Sequence, residues 1–299
     1  MCAILGVISK SDYQQFYTTE LWQMCEIQSH RGPDDRGGIA FNIENSSCEE
    51  IEGEDYVKAK GFLGFQRLSI QDLSTNGHQP MLDARKKVAI VFNGEIYNFK
   101  ELRIELKKQG YEFNSGTDTE VLLSLYLNYG LEKTLSLVNG MFGFIILDLR
   151  INKLYVVRDR FGIKPLYMAN TDDAVLFSSE MKAFLKYHGF EAKLNLEAFE
   201  ELLLFKENIK DTMFQEVEEI EPGTITIFNL ETNSCHVEKY FDIENYSRKE
   251  CTTSMSKLVD EAESILKKVV KRQLISDTRV GCQLSGGIDS SIITKICDS

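Results

Sequence analysis

Seven segments rich in Val, Ile, Leu and Phe, bounded by Gly, Asn and Asp, constrain this chain more than any other feature. They cover 2–9, 61–70, 88–92, 141–147, 153–157, 174–178 and 223–228, and each has the length and residue types of a β-strand. Helical periodicity is confined to a few places between them. One helix is predicted over 98–109, with Phe99, Leu102 and Leu106 on one face and Gly110 as a stop. Another is predicted over 118–128, opened by a capping Asp118 and closed by Gly130. A third is expected after Ser179 and a fourth over 196–205. Most of the first 245 residues thus read as strands broken by a few helices.

The texture changes after Tyr246. A long helix carries Leu258, Ala262, Ile265 and Val269 on one stripe; a short strand over 280–284, a glycine turn and a helix from Asp289 follow. Strand, glycine turn and helix open a nucleotide-binding α/β unit. The other strands of such a sheet do not appear before Ser299, and about 50 residues bury too little surface to be stable alone. The expectation is a truncated chain, a gene fragment or part of a split gene.

The 299 residues suffice for about two domains. With 43% hydrophobic and 27% charged residues the composition is that of an ordinary globular protein. A net charge of -12 argues against nucleic acid as a partner. No apolar stretch reaches the length of a membrane span, and no secretory signal opens the chain; a cytoplasmic location is expected. The seven scattered cysteines form no CxxC pair and read as reduced thiols. The four histidines have no ligand spacing, so no metal site is expected.

Cys2 follows the initiator methionine directly. Once Met1 is removed, one residue carries both a thiol and a free α-amine, whose reference pKa is roughly 7.7–8.0. That amine can assist removal of the thiol proton. Arg67-Leu68-Ser69-Ile70, Asn93-Gly94-Glu95-Ile96-Tyr97-Asn98 and Gly116-Thr117-Asp118-Thr119-Glu120 supply groups that suit a small zwitterion. A guanidinium grips a carboxylate with two parallel hydrogen bonds. Asp118 and Glu95 suit an ammonium. The Asn93 amide and the Gly94 N–H suit an oxyanion. Taken singly, each piece also reads as a hairpin turn, a helix cap or a surface cation. Ser285-Gly286-Gly287-Ile288-Asp289-Ser290-Ser291 presents glycine N–H groups and a helix start to an anion. It lacks the Gly-Lys-Ser/Thr ending of a Walker A loop.

Together these pieces, with Arg31-Gly32-Pro33-Asp34-Asp35, Gln79-Pro80-Met81, Asn139-Gly140-Met141-Phe142, the stretch from Arg158-Asp159-Arg160-Phe161-Gly162 to Ile163-Lys164-Pro165-Leu166-Tyr167, and Ser178-Ser179-Glu180-Met181-Lys182-Ala183, closely resemble the glutamine-hydrolysing asparagine synthetases over nearly the whole chain. The resemblance implies an α+β fold. Residues 1–245 would form a class II glutamine amidotransferase domain, an N-terminal-nucleophile hydrolase αββα sandwich. Residues 246–299 would begin a PP-loop ATP-binding domain of the adenine nucleotide alpha hydrolase type. By resemblance, Cys2 is the nucleophile and Asn93 and Gly94 form the oxyanion hole. Arg67 binds the glutamine carboxylate, Glu95 and Asp118 hold its amine, and Leu68, Ser69, Ile70 and Gln71 line the site. Leu284, Ser285, Gly286, Gly287, Asp289 and Ser290 match the ATP loop.

The implied substrates are L-glutamine, L-aspartate and ATP with Mg2+. Glutamine hydrolysis itself needs no cofactor. The aspartate side chain would be activated as an adenylate, and this chain alone would retain only glutaminase chemistry. Three alternatives stay open: a different acceptor carboxylate, a β-lactam synthetase relative, and a non-catalytic subunit or remnant of a split synthetase. So does the choice between a homodimer and a separate chain carrying the rest of the synthetase.

Overall fold

The computed structural model of the chain describes residues 1–11, 14–51, 55–206, 212–246 and 253–298. In chain order the elements begin with β1 (Ala3–Ser9), β2 (Gln14–Tyr17), α1 (Thr18–Glu26), β3 (Asp35–Asn42), β4 (Ser47–Glu50), β5 (Tyr56–Ala59) and β6 (Gly61–Arg67). There follow β7 (Met81–Leu82), β8 (Val88–Ile96), α2 (Phe99–Lys108), α3 (Asp118–Tyr129), α4 (Leu131–Leu137), β9 (Gly140–Asp148) and β10 (Lys153–Arg158). The rest are β11 (Tyr167–Asn170), β12 (Ala174–Ser178), α5 (Leu196–Phe205), β13 (Val217–Glu219), β14 (Thr224–Asn229), β15 (Ser234–Lys239), α6 (Met255–Gln273) and α7 (Ile288–Cys297).

Two antiparallel sheets face each other. One has seven strands in the order β13-β11-β12-β1-β6-β3-β4, the other six in the order β15-β14-β10-β9-β8-β7. Alternation along each strand decides which side chains go where. Ile4 and Ile8 of β1, Leu63 and Phe65 of β6, and Ala89 and Val91 of β8 share the core between the sheets. Leu5, Val7 and Phe62 point the other way, onto Leu21, Met24 and Cys25 of α1. Val88, Ile90 and Phe92 point away from the first sheet, onto Leu102, Val121, Leu122 and Leu135 of α2–α4. The result is the expected αββα sandwich. Its central strands read as nearly continuous apolar runs because both their faces are covered, while edge strands such as β4, β13 and β15 are polar and largely exposed.

Several local expectations are corrected. The strand predicted over 280–284 is absent: Val280 and Leu284 are 54% and 59% exposed, and no described strand offers the segment backbone partners. The helix after Ser179 is a 3-10 helix, Met181–Lys186. Asp118 does not cap α3. Thr117 does, its hydroxyl accepting the Glu120 N–H, and Asp118 is the first helical residue. The six described cysteines are free; Cys251 and the junction at 247–252 lie outside the described residues. Among the described residues no helix is long and apolar enough to cross a membrane.

Candidate active site

Both sheets and α3 deliver residues to one cavity of about 190 Å3. The register explains the convergence. Ala3 pairs with Gln66 across β1 and β6, so Cys2 lies one residue beyond that pair, opposite Arg67. Facing it, Asn93, Gly94 and Glu95 sit near the end of β8, paired to Gly143, Phe142 and Met141 of β9. The Ile96 N–H donates to Asp118 Oδ2 at 2.8 Å, which ties the start of α3 to the same strand. Cys2, Arg67, Leu68, Ile70, Gln71, Asn93, Gly94, Glu95 and Asp118 all line the cavity. Ser69 does not. Its N–H donates to Asp34 Oδ2 at 2.7 Å, and it lines an adjoining hollow with Asp35 and His78.

The Leu68 N–H points at Cys2 Sγ from 3.4 Å, and Arg31 Nε donates to the Cys2 carbonyl at 3.0 Å. Burial pushes the thiol above its ordinary value, while the Leu68 N–H, the α-amine and Lys164 pull it the other way. Burial also lowers the amine of Met1, which precedes Cys2 in the structure. Asn93 is 1% exposed, and its side-chain Nδ2 has no hydrogen-bond partner among the described residues. A buried donor without a partner is costly unless something arrives to meet it. At position 94 an added Cβ would lie 2.5 Å from the Met141 carbonyl, so close strand contact requires glycine there.

Two carboxylates, Asp118 and Glu95, line the cavity. Burial raises the Asp118 carboxyl to about 7, opposed by the Ile96 N–H and reinforced by Glu95. Glu95 is also raised by burial, against the pull of Gln71 Nε2, which donates to it at 2.8 Å. Arg67 is 5% exposed and is no surface cation. Its guanidinium donates to the carbonyls of Ser74 (2.8 Å), Gln71 (3.4 Å) and Asp72, stapling the loop that follows β6. Gly77 makes room for this: a Cβ there would sit 1.9 Å from Arg67 Nη2.

The sequence reading missed Lys164. It is 5% exposed, it lines the cavity, and burial lowers its ammonium despite the nearby Glu95 and Cys2. Its placement explains the Arg158–Lys164 motif. The Asp159 carboxylate accepts the N–H groups of Phe142, Phe161, Ile163 and Lys164 at 3.0–3.1 Å. Arg158 donates to the Gly162 and Lys164 carbonyls. Asp159 and Arg158 together fold this turn, with Arg158 also tying it to Glu219 and Ile220, and the turn brings Lys164 to the cavity. No local pattern announces this; the available signal was a basic residue inside a motif already singled out.

The second predicted site lies apart in character. Leu284, Ser285, Gly286, Gly287, Asp289 and Ser290 are not buried. Gly286 takes φ +84° with open space where a Cβ would be. Ser285 and Ser290 hydroxyls are 3.0 Å apart, and no side chain caps the start of α7. Free N–H groups at a helix start beside two hydroxyls suit a phosphate. Among the described residues no group of three His, Cys, Asp or Glu is placed to hold a metal ion.

Residues 50–241 match a family described as a glutamine amidotransferase domain, and residues 261–299 one described as asparagine synthase. Cys2 precedes the first match; Arg67, Asn93 and Asp118 lie within it. Similar curated proteins include asparagine synthetase [glutamine-hydrolyzing] 1 of Bacillus subtilis, 37% identical over 99% of this chain and 44% of that protein. A putative asparagine synthetase [glutamine-hydrolyzing] 2 of Methanocaldococcus jannaschii is 32% identical over 99% of this chain and 56% of its own length. The chain spans about half the length of these relatives. Among solved structures, the B. subtilis glutamine phosphoribosylpyrophosphate amidotransferase complexed with ADP and GMP aligns at TM-score 0.59 and 19% identity, covering 98% of this chain and 63% of that one. An allosteric regulatory enzyme of purine biosynthesis aligns at 0.60 and 20%, with the same coverage. These two likenesses concern the fold. On the sequence match across residues 50–241, the chain belongs to the glutamine amidotransferase family.

Proposed function

We propose that this chain hydrolyses L-glutamine at Cys2 and supplies the ammonia for a glutamine-dependent asparagine synthase. The observation that carries the reading is Asn93 Nδ2, without a partner among the described residues, in one cavity with the Cys2 thiol, two carboxylates and Arg67. With Met1 removed, the α-amine of Cys2 takes the thiol proton. Sγ then attacks the side-chain amide carbon of glutamine. The oxygen takes up negative charge and accepts from Asn93 Nδ2 and the Gly94 N–H. Donors of this kind are worth on the order of 10²–10³ in rate. The C–N bond breaks as the nitrogen takes a proton and leaves as ammonia. Water then attacks the thioester, releasing glutamate and restoring the thiol. Arg67 receives the α-carboxylate, and Asp118 with Glu95 receives the α-ammonium. Lys164 supplies a fixed positive charge that favours the thiolate.

In the same reading residues 1–245 form the glutaminase unit and residues 246–299 begin the ATP-binding unit. Ser285, Gly286, Gly287, Asp289 and Ser290 would hold nucleotide phosphates, with Leu284 beside the adenosine. ATP with Mg2+ would supply the activation of an aspartate carboxylate.

Ammonia and glutamate release from glutamine, followed together with N-terminal mass, tests the proposal. Chain lacking Met1 is expected to release both in equal amounts, and Cys2→Ala to release neither. Undiminished turnover by Cys2→Ala would refute it.

A further inference from the structure

We propose that Asp277, in the segment matching the asparagine synthase family, is a positioning residue that braces the glutamine cavity of the amidotransferase unit. The proposal rests on the glutaminase reading above. Two hydrogen bonds carry it. The Asp277 N–H donates to the Ile70 carbonyl at 3.0 Å, and the Asp72 N–H donates to Asp277 Oδ2 at 2.7 Å. Both reach the loop that follows β6, more than 200 residues earlier in the chain.

That loop forms part of the cavity wall. Ile70 and Gln71 line the cavity, and Gln71 holds Glu95. Arg67 grips the Asp72 carbonyl from inside. The Asp72 carboxylate accepts the Gly116 N–H at 2.5 Å, just ahead of the start of α3 that carries Asp118. Asp72 itself has φ +53°, a left-handed conformation that a non-glycine residue keeps only when its surroundings hold it. Arg67 holds its carbonyl, Gly116 its carboxylate and Asp277 its N–H.

Asp277 is not an isolated visitor. Ile275 packs against the core beneath α2–α4, and Arg272 lies 3.8 Å from Glu101 of α2. The segment after α6 is therefore seated on the first unit, and its seating is felt at the wall that receives glutamine. Linkage makes the effect reciprocal: glutamine in the cavity strengthens the brace by the factor by which the brace strengthens glutamine binding.

The test compares full-length chain with Asp277→Ala and Asp277→Asn. Steady-state glutaminase kinetics are measured alongside hydrogen exchange of the peptide covering residues 68–77 and the melting temperature. Alanine removes the acceptor, so KM for glutamine is expected to rise about tenfold with kcat within about twofold. Exchange over 68–77 should accelerate while the melting temperature holds. Asparagine keeps a side-chain oxygen and should restore KM and protection. Unchanged KM and exchange in Asp277→Ala overturn the proposal, as do equal losses in the two variants. If unsubstituted chain released no ammonia, the glutaminase reading would fall. Exchange over 68–77 would still decide the brace.

Discussion

Asp118 shows how one residue changes meaning on folding. In the sequence it is an acidic residue at a helix start, where its charge is favoured. In the structure it is 5% exposed on the cavity wall, and burial raises its carboxyl from the ordinary 3.8 to about 7. Between those values the native chain binds a proton that the unfolded chain has released. The stability this proton contributes is full below about pH 4 and is lost as pH rises through about 7. Denaturant titrations should therefore show the wild-type chain losing stability, relative to Asp118→Asn, from pH 5 to pH 8. The substrate ammonium needs the ionised form. We expect kcat/KM for glutamine to rise through about pH 7, and Asp118→Asn to remove the part of that rise set by Asp118 while leaving the limb set by the Cys2 α-amine. A profile unchanged by the substitution would separate Asp118 from glutamine binding. The residue types at Cys2, Asn93, Gly94 and Asp118 were legible because their chemistry is intrinsic. Lys164 was not, since a lysine acquires that role only when a turn buries it against the cavity.

At the scale of elements, the loop after β6 is where sequence and structure diverge most. Arg67 reads as a free guanidinium waiting for a carboxylate, yet three carbonyls of its own loop already engage it. The loop keeps the guanidinium at the cavity through Gly77, at the end of the 3-10 helix Thr75–Gly77. Gly77→Ala should force the guanidinium aside. Glutamine KM is expected to rise at least tenfold, which corresponds to about 1.4 kcal/mol of binding, with circular dichroism unchanged. A wild-type KM would mean that the displaced guanidinium does not matter to the substrate. Seven strands and the helices Phe99–Lys108, Asp118–Tyr129 and Leu196–Phe205 were readable from periodicity, whereas β3, the short or edge strands β2, β4, β5, β7, β11, β13 and β15, and the helices Thr18–Glu26 and Leu131–Leu137 carried too little pattern to be read. The segment at 280–284 was misread because apolar residues without neighbouring strands satisfy the pattern and not the hydrogen bonds.

Across the whole molecule, the sandwich depends on three apolar layers, and the layer between the sheets sets their spacing. Phe177 is fully buried there, edge-on to Phe228 with ring centroids 5.3 Å apart. Phe177→Ala should destabilise the chain by about 3–5 kcal/mol, read as a lowered denaturant midpoint. A loss under about 1 kcal/mol would mean that the two sheets can collapse onto the vacancy. By itself the sequence determined the strand-rich character of most of the chain, the change of texture near residue 246 and the residue types of both candidate sites. Propensity, alternation and side-chain chemistry are local properties. Only the tertiary structure decided that Cys2 lies opposite Arg67, that Asn93 Nδ2 lacks a partner among the described residues, that Lys164 reaches the cavity and that Asp277 bonds to Ile70 and Asp72. Those facts depend on strand register and enclosure between distant segments, and neither register nor enclosure is written in any one stretch of chain.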